Sequence, residues 1–148
     1  MNFFEQIMGN RALMVGVVGW FVAQALKVVF TYILERRWDF GRFFGLGGMP
    51  SSHSAVVCGV AVAVGIERGF YSAEFAVAFV VAGVVMTDAA GVRRAAGKQA
   101  ALINQMVQDL RQNGQGFTYE KLKELLGHSP FEVLMGALLG VLLAIAIM

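Results

Sequence analysis

The chain contains two histidines, and each stands among residues suited to phosphoryl chemistry. His53 lies in Gly47-Gly48-Met49-Pro50-Ser51-Ser52-His53-Ser54-Ala55, where the glycine pair turns the backbone freely and Pro50 fixes one dihedral. Ser51 or Ser52 is placed to cap a helix starting at about Ser54, leaving its first N–H groups aimed at whatever docks there. His128 is followed four residues later by Glu132, a helical spacing that lets a carboxylate orient an imidazole. Pro130 starts that helix, so His128 stands in it or just before it. Arg93 and Arg94 are adjacent, with Asp88 upstream as a candidate charge partner. Two histidines, paired arginines and a carboxylate, without a metal-ligand cluster, suit phosphoryl transfer through a phosphohistidine. One His attacks phosphorus, the arginines neutralise equatorial charge, and the other His protonates the leaving oxygen. Each residue also has an ordinary structural role open to it: a loop and cap for Pro50 to His53, headgroup anchoring for the arginines, a helix terminus for His128.

The elements that must position these residues are apolar. The 148 residues are 57% hydrophobic and 15% charged, with mean hydropathy +0.65, too apolar for an ordinary soluble domain of this length. The apolar residues come in long blocks, so the sequence predicts a single domain, 1–148, integral to a membrane. A formal net charge of +2 without basic-aromatic interleaving gives no case for nucleic acid. The lone Cys58 excludes an internal disulfide framework. The first apolar block is too long for a signal peptide, contains Lys27, and lacks a small-x-small cleavage site.

Four spans are predicted, at about 12–34, 53–70, 73–87 and 131–148. Gln24 and Lys27 lie within the first on one helix face, Lys27 either lining a polar cavity or snorkelling to the nearer interface. Trp38, Phe40, Phe43 and Phe44 among Arg36, Arg37 and Arg42 suit a membrane interface. Small residues in the second and third spans predict close approach of that pair, and Gly136 and Gly140 predict another close contact. From 88 to 112 the stripe Val92, Ala95, Ala96, Gln99, Leu102, Ile103, Met106, Val107 and Leu110 predicts an amphipathic helix, lying on the membrane or extending a span beyond it. Asn113 to Gly116 should end it, with a short helix from Thr118 to Leu126. Loops 35–52 and 88–130 then share one side and hold nine basic residues (Arg36, Arg37, Arg42, Arg93, Arg94, Lys98, Arg111, Lys121 and Lys123), against Arg11 and Arg68 opposite. The positive-inside rule makes the loop side cytoplasmic, the inner membrane if the cell is bacterial.

At 47–55, at the Asp-Ala-x-Gly-Val-Arg-Arg-x-Ala-Gly-x-Gln-Ala block of 88–100, and at the Leu-Gly-His-x-Pro-x-Glu-Val of 126–133, the chain resembles the divergent branch of the type 2 phosphatidic acid phosphatase superfamily, to which vanadium haloperoxidases are related. The resemblance implies a membrane hydrolase that cleaves a lipid phosphate or diphosphate without metal or cofactor. It implies His128 as nucleophile, Glu132 as its orienter and His53 as acid. Arg93, Arg94, Ser51, Ser52, Lys27, Arg36 and Arg37 are the implied phosphate-binding set. Ser52 stands where the superfamily has Gly, Glu132 where it has Asp, and no arginine closely precedes His128. Lys27 with Arg36 or Arg37 has longer spacing than the first motif and lacks its Pro. The expected partners are the bilayer and a membrane lipid or isoprenoid phosphate, with a homo-oligomer completing the site as an open alternative. Two other functions fit the same residues: a non-catalytic binder of anionic lipid or phosphate, and a small transporter or flippase element with Gln24 and Lys27 in its path.

Overall fold

Small residues set how this chain packs, because between membrane helices close approach does the work that hydrophobic burial does in water. The computed structural model describes residues 2–43, 48–112, 121–122 and 127–148, and among these every regular element is helical. The elements are α1 (Phe3–Met8), α2 (Arg11–Glu35), a 3₁₀ turn (Phe40–Phe43), α3 (Ser52–Arg68), α4 (Ala73–Thr87), a π turn (Asp88–Val92), α5 (Arg93–Gln112) and α6 (Pro130–Ile147). The Asn113–Gly116 stop, the predicted helix Thr118–Leu126 and Gly47 lie wholly or mostly outside the described residues.

α3 is the central element, packed against α2, α4 and α6. Its small-residue face meets α6 and α2, whereas the sequence placed the close contact against α4. A Cβ added at Gly136 would strike the Ser51 carbonyl, and one at Gly140 the Ala55 carbonyl, so α3 and α6 run backbone to backbone. Across α2, a Cβ at Gly16 would lie 2.9 Å from Val60 Cγ2. On α4 a Cβ at Gly83 would meet nothing within 4 Å, and only Ala82 of that helix is buried.

Among the described residues, three helices are long and apolar enough to cross a membrane: α2, the continuous 38-residue helix Ala73–Leu110, and α6. α3 has 17 residues, about 25 Å at 1.5 Å per residue, against about 30 Å of hydrocarbon. It lies enclosed by the three longer helices. The chain is therefore an all-α integral membrane protein.

Helix 93–112 extends α4 through the π turn, the second of the two arrangements open from the sequence. Its large apolar residues Val92, Leu102, Ile103, Met106 and Leu110 are exposed, while Gly97, Ala100 and Asn104 are buried. The predicted stripe thus faces away from the bundle. Asn104 is satisfied by the Leu122 backbone, donating to its carbonyl at 2.8 Å and accepting its N–H at 3.0 Å. Before α2 the chain forms the short helix α1 at Phe3–Met8. Asn2 and Glu5 form a capping box, a signal legible in Asn-x-x-Glu. At the end of the bundle away from the histidines, the Arg11 guanidinium donates to the carbonyls of Ile147, at 2.6 Å, and Met148.

Candidate functional site

Two helix N-termini meet at one end of the bundle, and the histidines stand on them. Ser51 caps α3, its Oγ accepting the Ser54 N–H at 3.3 Å, so helix geometry begins at Ser52 and carries His53 in the first turn. Ser129 caps α6 and accepts the Glu132 N–H at 3.3 Å, while Glu132 accepts the Ser129 N–H at 3.2 Å. This reciprocal capping box over Ser-Pro-Phe-Glu was readable as S-x-x-E, and sequence reasoning missed it. The Ser51 N–H donates to the Glu132 carbonyl at 3.0 Å and so clamps the two starts together. The positive ends of two helix dipoles thus meet at this end of the bundle, which suits an anion.

Glu132 does a second job. The same Oε2 that completes the cap lies 3.0 Å from His128 Nδ1. A carboxylate only accepts, so this bond puts the imidazole proton on Nδ1 and leaves the Nε2 lone pair free. His128 is 2% exposed. Burial pushes its imidazole below the ordinary histidine range, Glu132 pulls part of the way back, and nearby Lys27 and Arg93 oppose protonation further. The net direction favours neutral imidazole, the nucleophilic form.

The backbone of His128 is held as firmly. Its N–H donates to the Ala89 carbonyl in the π turn at 2.9 Å. Gly127 allows this docking: its φ is +86°, and a Cβ there would lie 2.5 Å from the Arg94 nitrogen. The π turn thus joins the arginine block to the second histidine, a connection across 38 residues that no local pattern in the sequence reveals. π turns inside α-helices recur at functional sites.

The His53 and His128 rings lie 5.9 Å apart, centroid to centroid, at 65°. His53 Nδ1 is buried without a hydrogen-bond partner among the described residues. Lys27 is 4% exposed and donates to Ser52 Oγ at 3.3 Å, so it faces this end of the bundle interior and does not snorkel. Arg93 pairs with Asp88 at 2.8 Å, both half-exposed, and it acts on both histidines through its charge. The geometry therefore gathers His53, His128, Glu132, Lys27, Ser52, Arg93 and Asp88. Ser51 is fully buried, and its hydroxyl is taken up by the cap and by the Ser54 hydroxyl at 3.1 Å. Arg94 is exposed and contributes its backbone beneath Gly127.

Arg36 and Arg37 are directed elsewhere. Arg36 ends α2 in a left-handed conformation, with its N–H on the Tyr32 carbonyl at 2.9 Å. Arg37 is bound to Glu35 at 2.8 Å and lies near Asp39, in a loop where Tyr32 stacks on Trp38 at 4.2 Å. Gln24 donates to the Phe43 carbonyl at 2.5 Å, tying the 3₁₀ turn back onto α2, and its Oε1 is buried without a hydrogen-bond partner among the described residues.

The fold and site together define a helical membrane bundle with paired histidines, one of them oriented by a carboxylate, near Lys27 and Arg93 at the meeting of two helix N-termini. In sequence the chain belongs to the Divergent PAP2 family, whose pattern it matches over residues 8–143. It is 38% identical over 152 residues to the uncharacterized membrane protein YuiD of Bacillus subtilis (strain 168), the alignment covering 96% of each chain. No solved structure gives a significant match.

Proposed function

We propose that this phosphatase-related membrane protein hydrolyses a lipid phosphate or diphosphate through a phosphohistidine on His128. The observation that carries the reading is the His128 imidazole, proton fixed on Nδ1 by Glu132, with a second imidazole 5.9 Å away. The His128 Nε2 lone pair attacks phosphorus as the bond from phosphorus to the lipid oxygen breaks. His53, entering the step protonated, gives its proton to that oxygen, and Glu132 stabilises the positive charge on the phosphorylated ring. Water then attacks phosphorus, His53 takes its proton, and the P–N bond breaks to restore the Nε2 lone pair and release phosphate. Burial, and after it the charge of Arg93, disfavour a proton on His53, so the substrate's negative charge helps to supply the acid form. No metal or cofactor enters these steps. The count of basic residues in the loops supports a cytoplasmic position for this end of the bundle.

The test is inorganic phosphate release by purified protein in detergent with EDTA, offered phosphatidic acid, phosphatidylglycerol phosphate and polyprenyl phosphates and diphosphates. Release that His128→Ala abolishes and His53→Gln lowers by about 10²–10⁴-fold supports the reading. No release above His128→Ala from folded protein overturns it. A binder without turnover is the second reading, favoured by the Arg93–Asp88 pair that already engages the nearest arginine. That reading expects lipid phosphate binding to survive His128→Ala.

A further inference from the structure

The reaction above leaves unused a groove of about 650 Å³ between α4, the π turn and α6. Its volume is within the roughly 300–1,000 Å³ of small-molecule sites. Gly83, Met86, Gly91, Pro130 and Leu134 are among its walls. Thr87 also lines it, but its hydroxyl donates to the Gly83 carbonyl at 2.8 Å and is satisfied within the helix. What the groove offers is hydrocarbon surface. A Cβ at Gly83 or Gly91 would meet nothing within 4 Å, so both glycines leave space that the protein does not fill.

One end of this groove is flanked by residues next to the His128 backbone. Pro130 follows His128 by two residues, and lining residue Ala90 follows Ala89, whose carbonyl holds the His128 N–H at 2.9 Å. From there it runs along 91 to 83 and 130 to 137, about 10–12 Å at the helical rise, away from the polar end. α4 and α6 are both membrane-crossing helices, so the far end lies at hydrocarbon depth.

We infer that this groove holds one aliphatic chain of the substrate, acyl or isoprenoid, in the stretch next to the phosphate. The inference rests on the proposed reaction for the headgroup and on the groove itself for the chain. An end beside the His128 backbone, mostly apolar walls, and open space at two glycines argue for a hydrocarbon chain over a polar ligand. Substrates with longer chains should then be preferred up to the length of the groove.

Two readouts test this. The ratio of kcat/KM for hexadecyl phosphate to that for butyl phosphate should fall about tenfold or more in Gly83→Leu/Gly91→Leu. Gly83→Ala serves as the folding control. Separately, a hexadecyl phosphate carrying a mid-chain diazirine should label peptides containing Met86 and Leu134, and the double substitution should remove that label. Labelling at the groove without phosphate release would retain the chain site and remove the hydrolase. An unchanged chain-length ratio, or label elsewhere on the protein, would overturn the chain site and leave the hydrolase standing. A change in oligomeric state with labelling intact would show this face to be a contact between copies, which also overturns the inference.

Discussion

Glu132 ties together two properties that usually belong to different residues: the start of a helix and the protonation pattern of an imidazole. Glu132→Gln separates them, because glutamine still serves the N3 position of a capping box but loses the charge that holds His128 Nδ1–H. Folded protein should be recovered in normal yield, while turnover falls, with about 10⁴-fold as the upper bound set by amide replacement of an orienting carboxylate in a catalytic triad. The pH profile distinguishes orientation from mere packing. Glu132 raises the pKa of His128, against the larger effect of burial, so its removal lowers that pKa further. The acid limb of kcat/KM reports loss of the neutral nucleophile and lies below about 6.5 in the native protein. It should move to still lower pH in Glu132→Gln, and an unmoved limb would count against His128 as the titrating group. At this scale the sequence was informative about chemistry. His128 and Glu132 sit at helical spacing, and Ser51 is a residue type that caps helices. It was uninformative about Arg37, whose charge a local loop directs to Glu35 and Asp39.

Among the elements, the contact between α3 and α6 is the one that glycines alone permit. Gly136→Ala places a methyl group into the Ser51 backbone, so the helices must separate or the cap must shift. The expected cost is about 1–3 kcal/mol or more, read as a lower Tm in detergent together with loss of activity, since Ser51 also clamps the α6 start. Gly83→Ala, facing open space, should leave Tm within about 0.5 kcal/mol of native in stability terms. Equal effects of the two changes would contradict the packing. The positions and approximate limits of the helices were legible, because apolar blocks and Pro, Gly and Ser punctuation mark them. Their partners were not. Small residues on α3 say that something comes close, yet only the folded chain shows that it is α6 and α2. The stripe of Leu102, Ile103 and Met106 was legible as one face of an amphipathic helix, but a periodic stripe names a face and not what lies against it.

For the whole molecule, sidedness and depth follow from where the charges and the short helix lie. The histidine end carries the basic loops, so in a Cys58→Ser background a cysteine at Arg37 should react with a membrane-impermeant maleimide only from the cytoplasm. A cysteine at Tyr71, which is 95% exposed at the opposite end, should react only from outside. The reverse pattern would put the site outside the cytoplasm. The central helix α3 spans about 25 Å, and Lys27 stands eight residues before the end of α2, roughly 12 Å below it at the helical rise. Around the buried Lys27 charge, thinning of the bilayer at the histidine end would cost less than burying charge in hydrocarbon. Compression lowers the headgroup plane toward Lys27 and His53, so a phosphate reaches them without its lipid being lifted from the leaflet. The thickness of the host membrane thereby becomes a control on rate. Reconstituted in dimyristoyl phosphatidylcholine, the protein should turn over faster than in dieicosenoyl phosphatidylcholine, and a membrane that thickens should slow it before anything in the protein has changed.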